Sequence, residues 1–138
     1  MAMALFSDLV NQNGEKPDQW RIESGGCWAV AGMPATQTAI TAMNARGLTL
    51  ENHRSRSITE SLLYQFKLIL CMEFDHKISL QRKFPSCRQR IFLLSEMVNK
   101  DMEIQDPVGL PLDIYQKTAD EMLDILQKGF EKIKRLSL

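Results

Sequence analysis

Two short runs in which every residue is apolar, Leu68-Ile69-Leu70-Cys71-Met72 and Ile91-Phe92-Leu93-Leu94, constrain this chain more than anything else in it. A strand with one wet face alternates apolar and polar residues, whereas a run with no polar position is a strand covered on both faces, as in a parallel sheet. The segments around these runs supply the cover. Met3, Leu5, Phe6, Leu9 and Val10 recur at helical spacing, and Asn13-Gly14 ends that helix as a turn. Trp20 to Ser24 alternates as a short strand. Pro34 is placed as the first residue of a second helix, which closes at Arg46-Gly47 with a glycine suited to a left-handed cap. Thr59 and Glu60 open a third helix through Phe66, and Phe74 to Lys83 forms a fourth, stopped by Pro85. Ile114, Thr118, Met122, Ile125, Leu126, Phe130, Ile133 and Leu136 then share one face of a long C-terminal helix. Strands separated by helices predict an α/β fold, a parallel sheet flanked by helices on both faces.

A chain of 138 residues with 44% hydrophobic and 25% charged residues is expected to form one domain over residues 1–138. Seventeen basic residues balance seventeen acidic ones, so no global field steers the protein toward nucleic acid or a membrane surface. With no apolar run of bilayer length and no basic leader ahead of a long apolar core, the expected location is cytoplasmic. Cys27, Cys71 and Cys87 are odd in number and widely spaced, which points to reduced thiols rather than a disulfide framework or zinc site. His53 and His76 have no partner at ligand spacing, and Asp101, Glu103, Asp106 and Asp113 read as an acidic solvated loop. No metal and no cofactor are expected. One charged feature survives the neutral average: Lys77, Arg82, Lys83, Arg88 and Arg90 follow one another with no acidic residue among them. The bland reading is a solvated helix face and turn. The functional one, strengthened if Arg54 and Arg56 cluster there, is a site for phosphate, a phosphorylated partner or nucleic acid. Nucleic acid is the weakest of these, because Phe84 alone does not supply the interleaved aromatics.

Met1-Ala2-Met3-Ala4-Leu5-Phe6, Glu23-Ser24-Gly25-Gly26, His53-Arg54-Ser55-Arg56, Ile69-Leu70-Cys71-Met72-Glu73 and Gln105-Asp106-Pro107 occur in that order. Together they resemble the low-molecular-weight protein tyrosine phosphatase family over nearly the whole chain. The resemblance implies a four-stranded parallel sheet whose central first strand runs into a Cys-x5-Arg-Ser-Pro loop, immediately followed by a Met-Ala-x-Ala-Leu helix. This sequence opens at that helix. The expectation is a truncated member lacking the strand and the loop. The gap in its sheet would be repaired by the Trp20 to Ser24 strand closing onto the Leu68 to Met72 strand, or by another subunit in a homodimer or larger oligomer.

The chemistry that the resemblance implies needs a thiolate nucleophile at the base of a phosphate-cradling loop, an arginine gripping two equatorial oxygens, and an acid for the leaving group. Cys27 is followed six positions later by Met33, Cys71 by Lys77 and Cys87 by Leu93, so no Cys-x5-Arg occurs. Asp106 matches the general acid; by itself it reads as a turn aspartate with a proline after it. Ser24 matches a serine that bonds the catalytic loop, His53 a histidine that supports it, and Trp28 a wall of the substrate cleft, with Arg54 and Arg56 as phosphate-binding candidates. Strand end, turn solvation and core are the corresponding bland readings of Ser24, His53 and Trp28. Val108 and Gly109 stand where many members carry tyrosines, and Lys67 replaces a common aspartate, which points away from phosphotyrosine as substrate. An arsenate-reductase relay is disfavoured, since Cys71 and Cys87 lie sixteen positions apart on a strand and in a loop. The expected function is a catalytically inactive relative that self-associates or binds a phosphorylated ligand. The alternatives are a phosphomonoester hydrolase with residual activity, or a fragment of an active full-length enzyme.

Overall fold

The two apolar runs do pair as parallel strands. In the computed structural model, which describes residues 1–138, β1 (Ile69–Cys71) aligns Ile69 with Ile91, Leu70 with Phe92 and Cys71 with Leu93 of β2 (Ile91–Leu93). The chain folds into two compact units, Met1–Ser57 with Pro107–Leu123, and Ile58–Asp106 with Asp124–Leu138.

The second unit holds the sheet. Thr59 opens α3 (Glu60–Tyr64), its hydroxyl accepting from the Leu62 N–H at 3.1 Å. That bond satisfies one of the donors that a helix start leaves orphaned. Between the strands runs α4 (Phe74–Lys83), which packs along both of them and buries Leu80. Pro85 prevents its continuation, and a 3-10 turn over Pro85–Arg90 leads into β2. Phe84, Cys87, Ile91, Leu93, Leu94 and Met97 are buried around this corner. Glu96 fastens the chain that leaves β2. Its carboxylate accepts from the Leu93 N–H at 2.5 Å and from Lys77 Nζ at 2.8 Å. Burial pushes this carboxyl up, but the Lys77 hydrogen bond, the Leu93 N–H and the charges of Lys77 and Lys132 outweigh it and hold Glu96 below the ordinary 4.5. Lys132 Nζ adds bonds to the Glu96 carbonyl at 2.6 Å and to Asn99 Oδ1 at 2.9 Å.

The first unit is built on α1 (Ala2–Gln12), which buries Leu5, Phe6, Leu9 and Val10 on one stripe. Gly14, at φ +70°, turns the chain after it, as the Asn13-Gly14 pair predicts. Trp20 meets Phe6 edge-on, with ring centroids 5.4 Å apart. In α2 (Gln37–Asn44), Ala39, Ala42 and Met43 are buried, and Gly47 at φ +73° follows in the left-handed conformation expected of it. Arg46 donates to the Gln116 carbonyl at 3.1 Å and pairs with Asp120, while Thr36 Oγ1 and the Tyr115 hydroxyl share a 3.2 Å bond. These contacts hold α2 to the first part of α5 (Leu112–Lys128).

Three expectations need correction. Trp20 to Ser24 forms no strand: the sheet consists of β1 and β2 alone, and nearby only an isolated parallel bridge joins Gly26 to Ser57. Alternation makes a strand only where a neighbour presents a matching ladder. Here the Ser24 carbonyl and the Glu23 carboxylate are taken instead by the Arg56 side chain. Nor does Pro34 start α2. Thr36 is the cap, its hydroxyl accepting from the Ala39 N–H at 3.3 Å, and this places the first helical residue at Gln37. Finally, the C-terminal helix is two helices, because at Gly129 (φ −90°, ψ 0°) α5 ends and α6 (Phe130–Ser137) begins. A Cβ at Gly129 would lie 2.8 Å from Met97 Cβ, so it is close packing against Met97 that demands glycine there. No helix is long and apolar enough to cross a membrane.

Candidate functional site

Ser24, Trp28, Arg54 and Arg56 come together in the first unit because two loops are laced to each other. The Gly26 N–H donates to the Arg56 carbonyl at 3.0 Å, the Gly32 N–H to the Ser55 carbonyl at 2.8 Å, and the Ser55 N–H to the Met33 carbonyl at 2.7 Å. Ser55 Oγ donates to the Val30 carbonyl and accepts from the Met33 N–H at 3.0 Å, and Ser57 Oγ donates to the Ala29 carbonyl at 2.9 Å. Glycine is required twice. At Gly26 a Cβ would sit 2.7 Å from Ala29 Cβ, and Gly32 has φ +83°. The result is a loop, residues 26–33, that holds Trp28 at 72% exposed, Val30 at 72% and Met33 at 55%. Trp28 is thus a surface side chain rather than core.

Arg56 closes this loop at its base. Its Nε donates to the Ser24 carbonyl at 3.0 Å and its Nη2 pairs with Glu23, which also receives Arg21 Nε at 2.6 Å. The Arg21 and Arg56 hydrogen bonds together hold the Glu23 carboxyl below its ordinary 4.5. Arg54 donates to the carbonyls of Glu51 at 3.0 Å and His53 at 2.7 Å, which fixes the turn that precedes it. His53 is half-buried. Burial pushes its imidazole below the ordinary 6.5, and the charges of the amino terminus and Arg54 act in the same direction. Glu23 was not a candidate from sequence, because its partner Arg56 stands 33 residues away. Only the alternating Arg21 and Glu23 hinted at a local pair.

Asp106 is exposed and directly precedes a buried proline, Pro107. The Pro107 carbonyl accepts from the Leu110 N–H at 2.9 Å, with Gly109 at φ +78°, so the turn after Asp106 needs glycine at its third position. The side chains of Val108 (60% exposed) and Leu110 (49%) flank it. None of the three cysteines is in a disulfide, and Cys71 and Cys87 are buried. Arg90 Nη2 donates to the Cys87 sulfur at 3.2 Å. With none of its surface exposed, no substrate reaches it. No group of three or more His, Cys, Asp or Glu side chains is placed to hold a metal ion.

A family model described as "Low molecular weight phosphotyrosine protein phosphatase" matches residues 1–137. The chain is 31% identical over 136 residues to the protein-arginine-phosphatase of Bacillus subtilis, covering 98% of this chain and 88% of that relative. Among solved structures it resembles a low molecular weight protein tyrosine phosphatase from T. tengcongensis, with a TM-score of 0.88, 32% identity, and 95% and 88% of the two chains covered. It also resembles the YwlE arginine phosphatase carrying a phosphorylated active-site serine, with a TM-score of 0.90, 30% identity, and 99% and 90% covered.

Proposed function

This chain belongs to the low molecular weight phosphotyrosine protein phosphatase family, and we propose that its 138 residues, taken alone, carry the family's proton donor and scaffold without turning substrate over. The observation that carries this reading is that no cysteine is followed at the sixth position by arginine, while Asp106-Pro107 is kept. In phosphatases of this class a thiolate attacks phosphorus, a sulfur–phosphorus bond forms, and the bond to the leaving atom breaks as a carboxylic acid protonates it. Asp106 is the group for that proton. No cysteine here pairs with the arginine that the thiolate needs: Cys87 is sealed in the second unit, Cys71 is buried on β1, and Cys27, partly exposed in the loop of residues 26–33, is followed at the sixth position by Met33. Neither Arg56, paired with Glu23, nor Arg54, tied to two carbonyls, stands as an uncommitted guanidinium for the equatorial oxygens.

What this reading leaves as function is association. Trp28, Val30 and Met33, exposed on one loop fixed at both ends, support self-association of the chain. Three thiols outside any disulfide fit a reducing compartment, hence the cytoplasm. The deciding experiment is aryl-phosphate hydrolysis by the purified chain, with its mass measured by light scattering. Expected are no turnover and a discrete dimer or larger species. Turnover that disappears in Asp106→Asn would overturn the reading of inactivity, and a strictly monomeric mass would overturn self-association.

A second reading is favoured by the retained Asp106-Pro107 and by similarity along almost the whole chain to relatives named as phosphatases. Here residues 1–138 are the larger part of an active phosphatase whose nucleophile loop is supplied outside them. Val108 and Gly109, neither of them aromatic, then favour phosphoarginine over a phenolic phosphate. Fusing a strand and a Cys-x5-Arg loop ahead of Met1 tests this. Phosphoarginine turnover above phosphotyrosine turnover supports the second reading, and a folded but inert fusion counts against it.

A further inference from the structure

The basic run of the second unit divides in the structure into residues that hold the fold and residues that do not. Lys77 is bound to Glu96 at 2.8 Å. Lys83 Nζ stands 5.4 Å over the Phe84 ring. Arg90 donates to the Phe66 carbonyl at 2.6 Å and lies 5.7 Å over the Tyr64 ring. Arg82 and Arg88 remain. Both are exposed, and neither guanidinium has an ion pair or a hydrogen bond. Both also line one open concavity of about 490 Å³, together with Ile78, Gln81 and Pro85.

The corner that carries them is tied into the fold. Phe84 and Cys87 are buried beneath it, the Phe84 N–H bonds the Leu80 carbonyl at 2.9 Å, and the Cys87 N–H bonds the Phe84 carbonyl at 3.0 Å. Gln81 Nε2 donates to the Ile91 carbonyl at 3.3 Å, tying α4 to the start of β2. No carboxylate lines the concavity, so two uncompensated positive charges face it beside an apolar floor of Ile78, 43% exposed, and Pro85. A guanidinium presents paired N–H groups that match phosphate oxygens, and a phosphorylated side chain brings nearly two negative charges at neutral pH. We propose that this concavity binds a phosphorylated segment of a protein partner, with phosphate on Arg82 and Arg88 and an adjacent apolar side chain on Ile78 and Pro85.

Nucleic acid fits less well, because no aromatic side chain lines the surface for bases to stack on. An anionic membrane calls for a denser cluster of basic residues than two. The site is independent of catalysis, so Asp106→Asn leaves its binding unchanged whichever reading of the activity holds.

The test is fluorescence anisotropy with the 138-residue chain and a short labelled peptide that carries one phosphoserine beside a leucine. The unphosphorylated peptide is expected to bind at least about tenfold more weakly, and inorganic phosphate to compete with the phosphorylated one. Arg82→Gln with Arg88→Gln should lose about tenfold or more while its circular dichroism and melting temperature stay those of the parent, since both side chains are exposed and unbonded. Equal binding of the two peptides, full binding by the double variant, or tighter binding of single-stranded RNA at the same residues would each overturn the proposal.

Discussion

His53 is a residue whose protonation the fold opposes, and that opposition has a pH window. Because the folded chain holds the imidazole below 6.5, the unfolded chain takes up the proton first on acidification. Its contribution to stability is whole above 6.5 and falls as pH drops through the lowered folded value. Urea midpoints measured between about pH 8 and about pH 5 should therefore decline on the acid side, and His53→Gln should flatten that decline. Glu96 acts lower on the scale: its contribution is present above 4.5 and lost as pH falls through its depressed folded value. Glu96→Gln should thus be less stable than the parent at neutral pH and converge with it in acid. Gly26 is a steric case. Gly26→Ala sets a methyl 2.7 Å from Ala29 Cβ, with an expected cost of about 1–3 kcal/mol that a denaturant midpoint would register. At this scale motif order singles out Asp106, Ser24 and His53 as candidates. The commitment of Arg56 to Glu23 was not legible, because a partner 33 residues away leaves no local pattern.

Elements were legible where their signals are local. Thr59 caps α3 as its position before Glu60 suggests, and Thr59→Ala should cost about 1 kcal/mol, read as a lower melting temperature. The same chemistry in Thr36, two residues after Pro34, sets the start of α2. Gly129 sets two effects against each other. Alanine gains about 1 kcal/mol over glycine inside a helix, so a continuous C-terminal helix would be stabilised by Gly129→Ala. The new methyl would lie 2.8 Å from Met97 Cβ and 3.0 Å from the Ile125 carbonyl, and backbone yields little. The clash should win, and calorimetry should show a lower melting temperature for Gly129→Ala. Periodicity alone joined α5 to α6, because the apolar stripe continues across the break: Ile125, Leu126, Phe130 and Ile133 are all buried.

At the scale of the whole molecule, the proposed self-association rests on the exposed side chains of Trp28, Val30 and Met33 in the loop of residues 26–33. If Trp28 and Met33 drive self-association, Trp28→Ser with Met33→Ser should shift the mass from light scattering to that of one chain of 15.8 kDa, with the circular dichroism unchanged. An unchanged mass would place the contact elsewhere. The sequence by itself determined the α/β class, the parallel pairing of two apolar strands, most helix positions, the family, and the lack of a Cys-x5-Arg within these residues. Each of these is written in local periodicity, in capping chemistry or in motif order, all properties of neighbouring residues. Tertiary structure alone decided that Trp20 to Ser24 is no strand, that Gly129 divides the last helix against Met97, that Arg56 is spent on Glu23, and that Arg82 and Arg88 share a concavity without partners. Those outcomes depend on which distant groups meet and satisfy one another's hydrogen bonds, charges and volume, and a linear pattern carries no record of that.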